Sequence, residues 1–139
     1  MVVMNSYSVI IVFAPWWDRR HLQAGEVSGL SATVLLIASH QDSSLQFTLY
    51  DGEKPFYTLA ADETDGLLRL LNRMTVRAPW DAEAGRDGTT FTLRLIGPMS
   101  HAEFDWWGNT PNEWESVGTV FDYVMSLAKR HGYGPALCG

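Results

Sequence analysis

Apolar and polar positions alternate in short runs along the chain, separated by turns, and twice give way to a helical period. Ser6–Phe13 (SYSVIIVF) is rich in β-branched residues and is stopped by Pro15, which predicts a strand. Asp18–Leu30 is polar and reads as a loop or a short helical turn. Ser31–Ser39 (SATVLLIAS) predicts a second strand. Its unbroken core from Val34 to Ala38 suits a central strand covered on both faces, although period alone also fits a short buried helix. Leu45, Phe47 and Leu49 then alternate with Gln46, Thr48 and Tyr50, as in a half-buried strand. Asp51-Gly52 is a turn signal, and Pro55–Ala60 is the return strand, with Pro tolerated at its first residue.

A helix is predicted over about 62–74, with Asp62 as its cap and Asp65 in the acidic first turn. Leu67, Leu68, Leu70 and Leu71 form its apolar side, and Arg69, Arg73 and Arg77 fall late, where cations are favoured. Gly66 weakens it by about 1 kcal/mol relative to Ala. Thr75–Gly88 is a long connection, which marks a functional or flexible loop. Thr89–Ile96 alternates again, with Phe91, Leu93 and Leu95 against Thr90, Thr92 and Arg94. Gly97-Pro98 breaks it, and His101–Trp107 is its partner strand. Thr110-Pro111-Asn112-Glu113 predicts a capping box opening a helix over about 111–131. Val117, Val120, Phe121, Val124 and Ala128 give that helix its apolar stripe, and Lys129, Arg130, His131 and Gly132 close it.

The order strand, turn, strand, capped helix thus occurs at 45–74 and again at 89–131, without a residue-level repeat. It predicts a single domain over 1–139 of the α+β class. The expected architecture is two-layer, a mostly antiparallel sheet of about five to six strands with both helices on one face.

Composition narrows the function. With 139 residues, 46% of them apolar and 19% charged, the chain can bury a core. A net charge of −6 argues against nucleic-acid binding, which needs a basic field, and favours a basic partner. Cys138 is the single cysteine, so no internal disulfide forms and nothing points to an oxidising compartment. The apolar run Val9–Ala14 lacks the basic flank and cleavage pattern of a signal peptide. No run approaches the roughly 18 apolar residues of a membrane span. The expectation is a soluble, cytoplasmic protein that binds neither nucleic acid nor membrane.

The richest window is 95–128, which contains no Lys or Arg. It holds Glu103, Asp105, Glu113, Glu115 and Asp122 among Phe104, Trp106, Trp107, Trp114, Phe121 and Tyr123, including three of the six Trp. Strand alternation puts His101, Glu103, Asp105 and Trp107 on one face and Ala102, Phe104 and Trp106 on the other. Same-face neighbours lie about 6.5–7 Å apart, too far for three of them to meet one small ion at about 2 Å. His101-Ala102-Glu103 matches half of a zinc-deaminase signature, but its P-C-x-x-C half is missing. No metal or cofactor is expected.

Glu113 is accounted for by the capping box, and Glu115 points to another side of the helix, so the two do not make an acid/base pair. His21 and His40 fall in polar loops, and His131 at a helix end. Gly-x-Ser-x-Gly, P-loop and G-x-G-x-x-G patterns are absent. No catalytic residue is assigned, and the reading leans away from an enzyme.

Trp106 is expected in the core, Trp114 at its edge, and Trp16 and Trp17 at a rim. Trp107 is forced outward unless a bulge at Gly108 re-aims it. An exposed Trp beside carboxylates is the composition of an interface anchor. The expected partner-binding residues are therefore Trp107, Glu103, Asp105, Trp114, Glu113, Glu115 and His101. In size, charge and composition the chain resembles the immunity proteins that neutralise secreted bacterial toxins. That resemblance implies a non-enzymatic acidic module masking a basic toxin. Its carboxylates would meet Arg and Lys of the partner, with Trp107 and Trp114 as desolvated anchors. Two other readings compete. One is a small-molecule or enzymatic pocket under loop 75–88, lined by Trp80, Trp106, His101 and Glu103. The other is a homo-oligomer paired through its aromatic face across a two-fold axis. The exposure of Trp107 divides the three.

Overall fold

The computed structural model describes residues 6–13, 31–41, 44–51, 54–80 and 89–132. The expectations for Pro15, Trp16, Trp17, His21, Gly52 and Cys138, and for 18–30 and 81–88, lie outside these residues. The strands are β1 (Ser6–Val12), β2 (Ser31–Gln41), β3 (Ser44–Asp51), β4 (Lys54–Thr58), β5 (Thr90–Ile96) and β6 (His101–Trp107). The helices are α1 (Ala61–Asn72), between β4 and β5, and α2 (Glu115–Arg130), after β6. All six strands form one sheet in the order β4-β3-β2-β1-β5-β6. Pairs β2–β3, β3–β4 and β5–β6 are antiparallel. The fold is the α+β architecture that the pattern predicts, with a mostly antiparallel sheet and two helices.

The N-terminal strand takes the centre. β1 pairs in parallel with β2 on one side and with β5 on the other. The unbroken Val9–Val12 run is wholly buried in all four residues, as expected of a central strand covered on both faces. On the helix face, Val9, Ile11, Val34, Leu36, Phe47, Leu49 and Leu93 pack with Leu67 of α1 and Val117, Val120 and Val124 of α2. Aromatic rings fill the β5–β6 end. Phe91 stacks between Tyr7 and Trp106 at 5.8 and 6.0 Å, and Phe121 meets Phe91 and Trp106 edge-on at 5.7 and 5.5 Å.

A two-layer sheet leaves its second face to water, and β6 does so. Under β1 and β2 the outcome differs. Ile10, Val12 and Leu35 point away from the helices yet are 0, 0 and 2% exposed, with Ile37, Tyr50 and Ile96 packed around them.

Both helix starts differ from expectation. α1 is capped by Ala60, not Asp62, and Glu63 reaches back to accept the Ala60 N–H at 2.8 Å. The return strand ends at Thr58, two residues earlier than the sequence suggested, because Ala60 is taken up as the cap of α1. The Thr110 capping box does not form. Pro111 stays extended (ψ 145°), so the chain makes a single 3-10 turn at Asn112–Trp114 before α2 begins at Glu115. Glu113 then lies in that turn, and its Oε1 is buried without a hydrogen-bond partner among the described residues. Thr110 packs instead over Gly118, where a Cβ would stand 2.6 Å from Thr110 Oγ1. At the far end Gly132 turns the chain with φ 101°, and His131 N–H bonds back to Leu127 and Ala128. No helix among the described residues is long and apolar enough to cross a membrane.

Gly118→Ala should therefore destabilise the fold by about 1–3 kcal/mol in urea unfolding, although Ala is the better helix former by about 1 kcal/mol. Thr110→Ala in the same chain should recover part of the loss, a coupling of at least about 0.5 kcal/mol in the double-mutant cycle. Simple additivity would show that the close approach carries no strain.

Candidate functional site

Among the described residues β6 is the last strand of the sheet, and its alternation holds through Trp107. Phe104 and Trp106 turn to the helices, with Trp106 buried at 7% exposure. His101, Glu103, Asp105 and Trp107 turn the other way and are all exposed, Trp107 at 58%. Gly108 has φ 65°, but Trp107 still pairs with Thr90 in unbroken register, so no bulge returns its ring to the core. Met99 stands in the β5–β6 turn at 96% exposure. The outward face of β6 thus carries Trp107 at one end, His101 at the other and two carboxylates between.

β5 fixes those carboxylates. Arg94, directly across from Glu103, places Nε 3.3 Å from Glu103 Oε1. Across from Asp105, the Thr92 hydroxyl donates to Oδ1 at 2.6 Å. The Arg94–Glu103 pair is part-exposed, and such a pair adds about 0–1 kcal/mol. It does offset the Glu103 charge locally, whereas Asp105 is bound among the described residues by a neutral hydroxyl. Among the described residues, no three His, Cys, Asp or Glu side chains are grouped to hold a metal ion.

The other three expected residues lie in a different layer. Trp114 is half-buried, packs edge-on against Phe104 at 5.5 Å, and donates its indole N–H to Arg77 O at 2.9 Å. It is thus held at the core edge. Glu113 and Glu115 line a cleft of about 390 Å³ with Thr75, Arg77 and Ser116. Ser116 Oγ accepts the Thr75 N–H at 2.9 Å and donates to Thr75 O at 3.0 Å, pinning the segment after α1 to the start of α2. The structure therefore gathers His101, Glu103, Asp105 and Trp107 on one strand and separates Glu113, Trp114 and Glu115 from them. The four residues named for a small-molecule pocket do not converge. Trp106 faces the helices, His101 and Glu103 face away from them, and Trp80 is 83% exposed.

A second cluster was not anticipated. Glu63, with a side chain only 12% exposed, accepts from Tyr57 OH at 2.5 Å and from Ala60 N–H at 2.8 Å. His131 Nε2 lies 3.3 Å and Arg130 3.8 Å from its Oε2. The His131 ring stacks on Tyr57 at 3.5 Å, and Tyr123 OH donates to Glu63 O at 2.9 Å. This approach of α2 to α1 needs Gly66, where a Cβ would sit 2.6 Å from Tyr123 OH. The clue in the sequence was Glu63 three residues after Ala60, the reach-back position of a helix start; its distant partners left no local signal. Burial pushes the Glu63 carboxyl up. The bonds from Tyr57, Ala60 and His131 outweigh that and hold it below its ordinary value. The Tyr57 hydroxyl is pushed up, first by its bond to Glu63 and then by burial. With its oxygens taken up by donors from β4, the start of α1 and the end of α2, Glu63 clamps these three elements together.

No protein-family model matches the chain, and no curated protein or solved structure resembles it beyond chance.

The clamp sets a pH dependence. Because folding lowers the Glu63 pKa, its stabilisation is present above the ordinary value of 4.5 and is lost as pH falls through the folded value. Glu63→Gln should cost about 1–3 kcal/mol at neutral pH. The gap between variant and wild-type melting curves should close as pH drops below about 4.5. Tyr57 is raised, so its contribution is present below 10.0 and is lost as pH rises beyond. A gap that stays constant from neutral to acid pH would refute the clamp.

Proposed function

We propose that the protein is a non-enzymatic module that binds a basic protein partner on the outward face of β6. The carrying observation is Trp107, 58% exposed on the same strand face as Glu103 and Asp105. A large aromatic ring left in water beside ordered carboxylates has no role in the core, which Trp106 and Phe104 already serve. It fits a hot spot, an amphipathic ring buried on association and rimmed by polar groups. Met99, also exposed, extends the apolar contact at the other end of the strand.

The net charge of −6 suits a basic partner and repels an acidic one. This is the behaviour of an immunity-type protein that masks a basic toxin, and a cytoplasmic site of action agrees with a single cysteine in the chain. Glu113 and Glu115, on the cleft beside Arg77, form a secondary contact in this proposal, and Trp114 supports them from the core edge. His101 and Glu103 stand on open surface, not on the floor of a closed pocket, which favours protein binding over a small molecule.

The test is kinetic. The partner is recovered by affinity capture from the source cells, and its binding is then measured with purified variants. Trp107→Ala should weaken binding by about 2 kcal/mol, roughly 30-fold, mostly through faster release. Glu103→Gln with Asp105→Asn should slow association and flatten its salt dependence. Unchanged affinity and rates in both variants would reject this face.

A further inference from the structure

The hydrogen bonds at the two ends of the β5–β6 hairpin fix the direction of every backbone group on β6. Gly97 N–H bonds to Ser100 O, and Gly108 N–H bonds to Thr89 O. Both pairs lie in the register that runs unbroken from Thr90↔Trp107 to Ile96↔His101. Antiparallel pairs alternate between bonded and non-bonded, so the even-numbered residues of β6 exchange their hydrogen bonds with β5. The N–H and C=O groups of His101, Glu103, Asp105 and Trp107 therefore turn away from β5, toward the side on which the sheet order ends. The residues that present the candidate binding side chains also present the outward backbone.

The two edges of the sheet are not alike. β4 has only five residues, carries Pro55 and a register shift opposite Leu49/Tyr50, and is tied down by Tyr57 to Glu63. Those features blunt an edge against strand addition. β6 has seven residues, no Pro and no register shift. Its outward charges are carboxylates. In a fully overlapped antiparallel pairing of two copies, Glu103 of each would stand opposite Asp105 of the other, like charge on like. A basic strand meets the reverse situation.

Resting on the binding face proposed above, we infer that β6 takes up an extended basic segment of the partner as a seventh, antiparallel strand. Residues opposite Trp107, Asp105 and Glu103 are spaced by two on the incoming strand. The segment it fits therefore reads apolar-x-Lys/Arg-x-Lys/Arg from its N-terminal end. The same three residues turn their own backbone groups to β6. The cation opposite Asp105 matters more, because Glu103 already shares Arg94.

The probe is a short acetylated and amidated peptide, Thr-Leu-Thr-Lys-Thr-Lys-Thr, titrated into the full chain at low salt. Its control is a scramble with the two Lys adjacent. N-methylation of Leu and both Lys should cost at least about tenfold in affinity, and N-methylation of the intervening Thr residues less than about twofold. Binding should also slow amide exchange at Asp105 and Trp107 by about tenfold or more. Binding that needs Trp107 and Asp105 but ignores N-methylation would overturn strand addition while leaving the binding face intact. No binding by peptide or scramble, or binding untouched by Trp107→Ala, would overturn both. A chain dimer that the peptide displaces, seen by sedimentation, would give the edge to a second copy and overturn a foreign strand.

Discussion

Insertion of β1 between β2 and β5 is the constraint from which the rest of the molecule follows. On either side of it lie pieces that are weak alone: the β2–β3–β4 meander with α1, and the β5–β6 hairpin with α2. A two-stranded hairpin is marginal in water. β1 supplies each piece with a paired strand and supplies the core with Val9 and Ile11, in the cluster that α2 packs against. Its pairings with β2 and β5 are parallel and distant in sequence, so they close late and at an entropic cost that local hairpins avoid. The Glu63 clamp joins the two pieces a second time, on the helix side, by tying β4 and the start of α1 to the end of α2.

The same insertion decides where the edges fall. With β1 in the centre, the outermost strands must be β4 and β6. One is shortened, bent and held by side chains of both helices; the other is straight, longer and carries Trp107. An unpaired edge is a liability that proteins normally suppress. The asymmetry is therefore informative: the Pro and the register shift that blunt β4 are both missing from β6.

Much of this could be read in the residues beforehand, and the reason is local periodicity. The period of two in 101–107 places Trp107 outward and Trp106 inward without any knowledge of neighbours, and the leucines of α1 and valines of α2 locate both helices to within a few residues. The unbroken run from Val34 to Ala38 marks β2 as a covered, central strand, but not that β1 takes the centre beside it, since pairing partners leave no trace in a single strand. The Thr110 capping box shows the limit of local rules. Every residue type was in place, yet Pro111 remained extended and Thr110 went to Gly118 instead. Glu63 was missed for a related reason. Its partners Tyr57, Arg130 and His131 come from β4 and the end of α2, and only the closed fold brings them within 4 Å.

The charge of the molecule and the charge of its candidate face are different quantities. Net charge −6 belongs to the whole surface and acts at long range, where it raises the encounter rate with a basic partner. At β6 itself Arg94 offsets Glu103, whereas Asp105 meets a neutral hydroxyl. Neighbouring same-face side chains on a strand lie about 7 Å apart, within a Debye length of about 8 Å at physiological salt. An incoming cation near Asp105 therefore feels Glu103 and Arg94 as well, and gains less than the count of carboxylates suggests. What distinguishes this face from any other acidic surface is accordingly not its charge. It is the ring of Trp107, with apolar area to remove from water, and an edge whose backbone groups point toward whatever arrives. In the proposed complex, charge would bring a partner near, and the aromatic ring and the strand edge would determine how long it stays.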